Sequence, residues 1–229
     1  MIWVAGHSGP ETADDSRTHF GIFSPGVTQL FPEGSIINLH PWEYNEVAVL
    51  LGAALQQDAP IIALHLTRPP IEIPDRHKLG IPSHFTAAKG AYIIKDFKAE
   101  APKDGVLIIQ GSSAMVSVIK LLDELDRKNL NLKIVCATSY QLFQLQSEEY
   151  QNRVLSAEDW RASTVVTTQA RWLMHDWSFS KESGKYALSA DWDNRWRTGG
   201  TLDEVIEEAH LSPNWLLKGI QRFAHDRDK

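Results

Sequence analysis

The sequence lacks the marks of several broad classes of protein. It has one cysteine, Cys136, inside the apolar run LKIVCAT. A single thiol cannot build a disulfide framework within the chain, and it reads as a buried strand residue kept in a reducing compartment. No apolar stretch approaches the ~18 residues that a membrane span requires. The opening MIWV has neither the charged start nor the apolar length of a signal peptide. There is no basic tract, and 23 Lys and Arg stand against 29 Asp and Glu for a net charge of −6, which argues against a nucleic-acid partner. Repeats and low-complexity tracts are missing too. The expectation is a cytoplasmic chain with no membrane association. Its 229 residues are enough for one large domain or two small ones with a real core.

What is present is organised around the start of the chain. Ile2 to Ala5 reads as a buried parallel strand and runs into a polar segment holding His7, Asp14, Asp15, Thr18 and His19. In α/β sheets ligands bind beyond the carboxyl ends of strands, where this cluster would fall. A core strand beginning at the second residue predicts that the natural beginning of the polypeptide lies upstream. A Gly- and Pro-rich loop then leads to a second strand at Ser35–Leu39, a helix over Glu43–Gln57 with Val47, Leu50, Leu51 and Ala54 on one face, and a third strand at Ile61–Leu66. This is a βαβ unit. A last strand is expected at Ala91–Ile94.

Lys95 to Asp104 (KDFKAEAPKD) is polar, has no apolar period and contains Pro102, so it reads as a linker. The pattern then restarts: strand Val106–Gln110, turn Gly111–Ser113, an amphipathic helix to about Arg127, and strand Leu132–Ala137. Short helices are expected at Tyr140–Leu145 and Glu148–Leu155, and strands at Ser163–Thr168 and Tyr186–Ala190. Thr201 with Glu204 forms a capping-box pattern, and Ser212-Pro213 opens a final helix. The expected fold is α/β, two small units with mostly parallel sheets, divided as residues 1–96, a linker at 97–104, and residues 105–229.

His7 and His19 lie twelve residues apart with Asp14 and Asp15 between them. The residues alone leave three readings open: a solvated loop, a metal site for which no tight ligand spacing speaks, or a polar substrate site. In the last, imidazoles hydrogen-bond hydroxyls, a carboxylate orients one, and Arg68 at a neighbouring strand end supplies a fork for phosphate. Gly111-Ser112-Ser113 either cradles an anion at a helix N-terminus or, the favoured reading, provides a serine N-cap. His65, mid-strand, reads as a core histidine, and the strand-end position of His40 leaves a peripheral role in a site open. The tryptophans of Arg171–Trp177 and Asp191–Trp196 read as packing or interface anchors, and Asp193 with Arg195 as an ion pair.

On these residues the chain resembles the C-terminal part of transketolases. The family's signature, a threonine-histidine-aspartate turn followed by a glycine- and acid-rich loop ending in threonine-histidine, aligns without a gap on the opening segment. Leu66-Thr67-Arg68 resembles its phosphate-binding strand end. His40-Pro41 and Glu46 fit its strand-to-helix junction, and Lys89-Gly90-Ala91-Tyr92 the segment before the linker. Val106–Ser113 and Tyr140–Val154 are similar to its C-terminal domain. The chain departs from the pattern at Ser8, where the family has aspartate, at Ser16-Arg17 for glycine-proline, and at Phe20-Gly21 for glutamine-proline.

The resemblance implies a partial pyrimidine-type thiamine diphosphate-binding domain followed by a transketolase C-terminal domain. The implied reaction is two-carbon ketol transfer between sugar phosphates, in which the thiamine ylid attacks the donor carbonyl. His7, Asp15, His19 and Arg68 are the implied substrate-binding residues. His7 and His19 would hydrogen-bond oxygens as charge develops, with His19 the candidate for transition-state contact. Asp15 would orient a sugar hydroxyl, and Arg68 would hold the phosphate. Thiamine diphosphate and Mg2+ belong to the complete enzyme, and their main binding residues precede this segment. The implied partner is the upstream portion or another subunit, in an oligomer, the isolated chain being inactive. Deoxyxylulose-phosphate synthase, a 2-oxo acid dehydrogenase component, or a non-catalytic assembly or regulatory module of the same fold are the alternatives.

Overall fold

The short apolar runs form two sheets. In the computed structural model, which describes residues 1–178, 180–195 and 199–226, β1 (Ile2–Ala5), β2 (Ile36–Leu39) and β3 (Ile61–His65) make a parallel sheet in the order β1-β3-β2. The second sheet contains β4 (Ala91–Lys95), β5 (Gly105–Gln110), β6 (Leu132–Ala137), β7 (Ser163–Thr167) and β8 (Leu188–Ser189) in the order β4-β6-β5-β7-β8. All of its pairings are parallel except that of β4 with β6. The helices are α1 (Gly26–Gln29), α2 (Tyr44–Leu55), α3 (Ser112–Arg127), α4 (Tyr140–Gln144), α5 (Glu148–Val154), α6 (Ala157–Arg161), α7 (Lys181–Lys185), α8 (Leu202–Glu208) and α9 (Pro213–Asp226). Among the described residues no helix is long and apolar enough to cross a membrane.

The central strands read as unbroken apolar runs because both faces are covered. In β5, Leu107 and Ile109 face the main core while Val106 and Ile108 face a second cluster with Phe143, Met174 and Trp177. α9 buries Leu216, Ile220 and Phe223, at i, i+4 and i+7, in that main core. Each such side chain contributes roughly 1.5–3 kcal/mol by leaving water. The Thr201–Glu204 capping box forms as expected, with the Thr201 amide donating to the Glu204 carboxylate at 2.8 Å. Cys136 is buried in β6.

Two sequence expectations are corrected. The first concerns β1, which is parallel but not buried: among the described residues it pairs only with β3, and Ile2 and Val4 remain 49% and 56% exposed. Apolarity marks a strand, but whether a neighbour covers it depends on sheet order.

The second concerns the boundary at 97–104. The strand at Ala91–Lys95, expected to close the first unit, pairs with β6 of the second sheet, and one continuous core joins both sheets. The intervening stretch is also pinned. The buried Asn131 side chain donates to the carbonyls of Lys98, Ala101 and Pro102 at 3.1, 2.9 and 3.0 Å, and accepts from the Lys98 amide at 2.8 Å.

A buried ionic network crosses between the sheets. Arg76 donates to Glu43 at 2.8 Å and to Glu46 at 2.7 Å, and also reaches the Tyr92 hydroxyl at 3.2 Å. Tyr92 in β4 donates to Glu46 at 2.5 Å and accepts from the Trp42 indole at 2.8 Å. Glu46, placed at a strand-to-helix junction by resemblance, thus ties α2 to the second sheet.

Candidate functional site

β1 and β3 run side by side in the same direction, so the loops leaving their carboxyl ends are neighbours. Pairing continues past the strands: the Leu66 amide donates to Ala5 O at 2.8 Å, and the Ser8 amide to Leu66 O at 2.9 Å. His7 and Arg68 therefore emerge at one rim. From there the chain makes two short 3-10 turns, Pro10–Asp14 and Arg17–His19, and returns through a backbone bridge between Gly9 and Gly21. The bridge requires glycine at 21, because a Cβ there would lie 1.7 Å from His7 O. The Thr12 hydroxyl donates to His19 O, and the His19 amide to Ser16 O at 2.9 Å, fixing the second histidine.

The structure brings all four predicted residues together. Arg68 Nη1 lies 2.6 Å from Asp15 Oδ2, and Nη2 reaches Thr12 O at 3.5 Å. His19 Nδ1 is 3.5 Å from the same Asp15 oxygen. The His7 and His19 ring centroids are 5.1 Å apart. The Arg68 hydrogen bond and charge hold the Asp15 carboxyl below its ordinary pKa. Asp15 is thus an acceptor at neutral pH, while Arg68 spends only two of its five N–H donors on these partners. The rim is open: side chains of Arg68, Asp15 and His19 are 39%, 52% and 41% exposed. Asp14 is exposed, and Thr18 is within 2.6 Å of the Ser16 hydroxyl. Among the described residues no three His, Cys, Asp or Glu side chains gather as metal ligands.

Other candidates fall elsewhere. His65 is in the core, where its Nε2 contacts Thr28 Oγ1 at 3.1 Å and Asn38 Oδ1 at 3.2 Å. His40, at the end of β2, is buried. It stacks on His65 at 4.6 Å and hydrogen-bonds Gln169 at 3.0 Å, because its strand end is covered by the second sheet.

The serine N-cap expected at Gly111–Ser113 does not form: Gly111 is the N-cap of α3, and no side chain of its own caps it. A Cβ at Gly111 would sit 2.0 Å from Thr168 Oγ1, and the Ser113 amide donates instead to Glu11 at 3.0 Å. Sequence reasoning missed Glu11, whose partner is 102 residues away.

Trp177 packs in the core, but Trp172 is 82% exposed. Trp192 stacks on His210 at 3.7 Å, and Trp196 lies outside the described residues. Arg195 pairs with Asp193 at 2.7 Å as expected.

Known proteins agree with this architecture. Residues 90–189 match the transketolase-like C-terminal domain model, which begins just before β4 and so agrees with that strand's place in the second sheet. Transketolase from Aquifex aeolicus is 32% identical over 161 residues, 69% of this chain and 22% of the relative. Among solved structures, transketolase from Leishmania mexicana superposes with a TM-score of 0.74 at 18% identity, covering 100% of this chain and 31% of that one. Pichia stipitis transketolase in complex with sedoheptulose 7-phosphate gives 0.70 at 20% identity, covering 98% and 30%. The chain thus spans less than a third of the length of these relatives. By sequence and by fold, the chain is a relative of the transketolases, matching the C-terminal part of that family.

Proposed function

We propose that this chain supplies the sugar-phosphate wall of a thiamine diphosphate-dependent two-carbon ketol transferase, and that it acts with further polypeptide. The observation that carries the reading is the rim itself: a guanidinium, a carboxylate and two imidazoles within contact distance at the tips of adjacent parallel strands. Arg68, held by Asp15, offers its remaining N–H donors to a phosphate in charge-assisted hydrogen bonds. Asp15 keeps an oxygen lone pair for a sugar hydroxyl. The imidazoles of His7 and His19 present nitrogen atoms to neighbouring oxygens of the same substrate, as donor or acceptor according to tautomer. The Pichia stipitis relative binds a ketose phosphate, the substrate class such a rim would take.

The roles proposed for these four side chains are binding and orienting substrate. A rim this exposed cannot by itself exclude water from a reacting sugar. The outer edge of β1, unpaired among the described residues and with Ile2 and Val4 exposed, is where further polypeptide would add and close the site.

The test is ketol transfer in a reconstituted enzyme, formed by adding the portion that precedes this segment in the longer relatives. Hydrogen bonds from a charged group are worth about 1.5–3 kcal/mol. Arg68→Ala should therefore raise KM for phosphorylated sugars roughly tenfold to a hundredfold. An unchanged KM would remove Arg68 from its assigned role. Turnover of pyruvate but not of sugar phosphates would favour a related thiamine enzyme, and no activity on any of these substrates an assembly module.

A further inference from the structure

The loop between the two histidines carries acids that point in opposite directions. Asp15 faces Arg68 of the first sheet, whereas Glu11 turns inward and is fully buried. One Glu11 oxygen accepts the Ser113 amide at 3.0 Å, in the first turn of α3, while the other has no hydrogen-bond partner. That helix has no capping side chain of its own, and the close approach of Thr168 leaves no room for one at Gly111. Glu11 therefore provides across the fold what a local cap would provide, a side-chain oxygen that accepts an amide of the first helical turn.

We propose that Glu11 is a positioning residue for the sugar-phosphate wall, docking the His7–His19 loop on the N-terminus of α3 and so fixing where Asp15 and His19 stand relative to Arg68. The proposal rests on the functional reading above. Among the contacts that hold the loop are the Gly9–Gly21 bridge at its base, Asp15–Arg68 towards the first sheet, Glu11–Ser113 towards the second, and the packing of α8 against the Pro10–Asp14 turn. Glu11 lies within the 3-10 turn that Asp15 closes, the Asp15 amide donating to Thr12 O at 3.4 Å. One tight turn of backbone thus couples the buried acid to the exposed one. The same turn supplies Thr12 O to Arg68 and the Thr12 hydroxyl to His19 O.

The stability Glu11 contributes by capping α3 is offset by the cost of its burial. A buried carboxylate with one oxygen unpartnered costs free energy that an apolar side chain would not. Desolvation by burial accordingly raises the Glu11 pKa. Such a departure from local consistency is expected where a site is being held in place.

The full chain carrying Glu11→Ala or Glu11→Gln tests this, by amide hydrogen exchange across residues 9–21 and at Ser113 and by the dissociation constant for sedoheptulose 7-phosphate. Glu11→Ala should speed exchange at both places and weaken the sugar phosphate, each by roughly tenfold. Glu11→Gln keeps an acceptor for the Ser113 amide and should restore both to within about threefold. A Glu11→Ala protein with a lower Tm but wild-type loop exchange and affinity would overturn the proposal, as would a Gln variant that behaves like Ala. If the Ala variant does not fold, Glu11→Asp replaces it. That variant keeps the carboxyl group but shortens the tether, so lost affinity with a near-native Tm supports the proposal and unchanged affinity refutes it. Arg68→Ala is the control for the underlying reading. If it binds the sugar phosphate as wild type does, the substrate assignment fails, while the exchange data still decide whether Glu11 docks the loop.

Discussion

Acidification through the histidine range should weaken the fold through one buried imidazole. His65 is almost inaccessible to water, and desolvation by burial lowers its pKa from 6.5 to about 4. The unfolded chain therefore takes up the proton before the folded one. Stability is intact above about pH 6.5 and is lost progressively as pH falls towards 4. At about 1.4 kcal/mol per unit, this depression corresponds to roughly 3 kcal/mol, a large share of a typical domain's stability. Trp3, Thr28, Asn38 and Gln169, whose side chains contact the stacked pair, are uncharged, so none supplies a counter-charge to an imidazolium. Burial lowers the His40 pKa as well, and the His65 ring 4.6 Å away would repel a second charge, so both histidines act in the same direction. Urea unfolding of wild type and His65→Gln between pH 7.5 and pH 4 measures the effect, because titrating groups other than the neighbouring His40 contribute equally to both. The wild-type curve should fall by about 3 kcal/mol more than that of the variant. Parallel curves would refute the reasoning.

Two further perturbations follow from the packing. Gly21→Ala places a Cβ 1.7 Å from His7 O, so the Gly9–Gly21 bridge must open; we expect a loss of about 1–3 kcal/mol, read as a lower Tm, together with displaced His7 and His19 resonances. Arg76→Met leaves Glu43 and Glu46 buried without their cation and should cost about 3–5 kcal/mol in urea unfolding. Adding Glu43→Gln and Glu46→Gln should recover much of that loss.

Much of the fold was legible because its strands are short apolar runs bounded by turns and its long helices carry one apolar stripe. Leu132–Ala137 and the Thr201 capping box formed where the pattern put them. The misreadings share a physical cause: they concern partners far away in sequence. Nothing in AYIIK says whether it pairs with β3 or crosses to β6. Nothing in KDFKAEAPKD shows that Asn131 will pin it. Ile2 and Val4 look like core residues until sheet order leaves them at an edge.

The four rim residues were legible because resemblance to a family signature singled them out. Glu11 was not, because its acid is paired with a helix end 102 residues on rather than with a neighbour. The His40–His65 stack was invisible for the same reason: His65 reads as a core residue, but nothing nearby in sequence shows that Gln169, 129 residues on, will hold His40 against it.

The most direct measurement is a nuclear magnetic resonance titration of the chain with sedoheptulose 7-phosphate and, separately, with the same sugar lacking its phosphate. The account predicts that the amide resonances of His7, Asp15, His19 and Arg68 move with the phosphorylated sugar, move much less without the phosphate, and lose that difference in Arg68→Ala. Equal responses to the two sugars, or shifts confined to another surface, would contradict it.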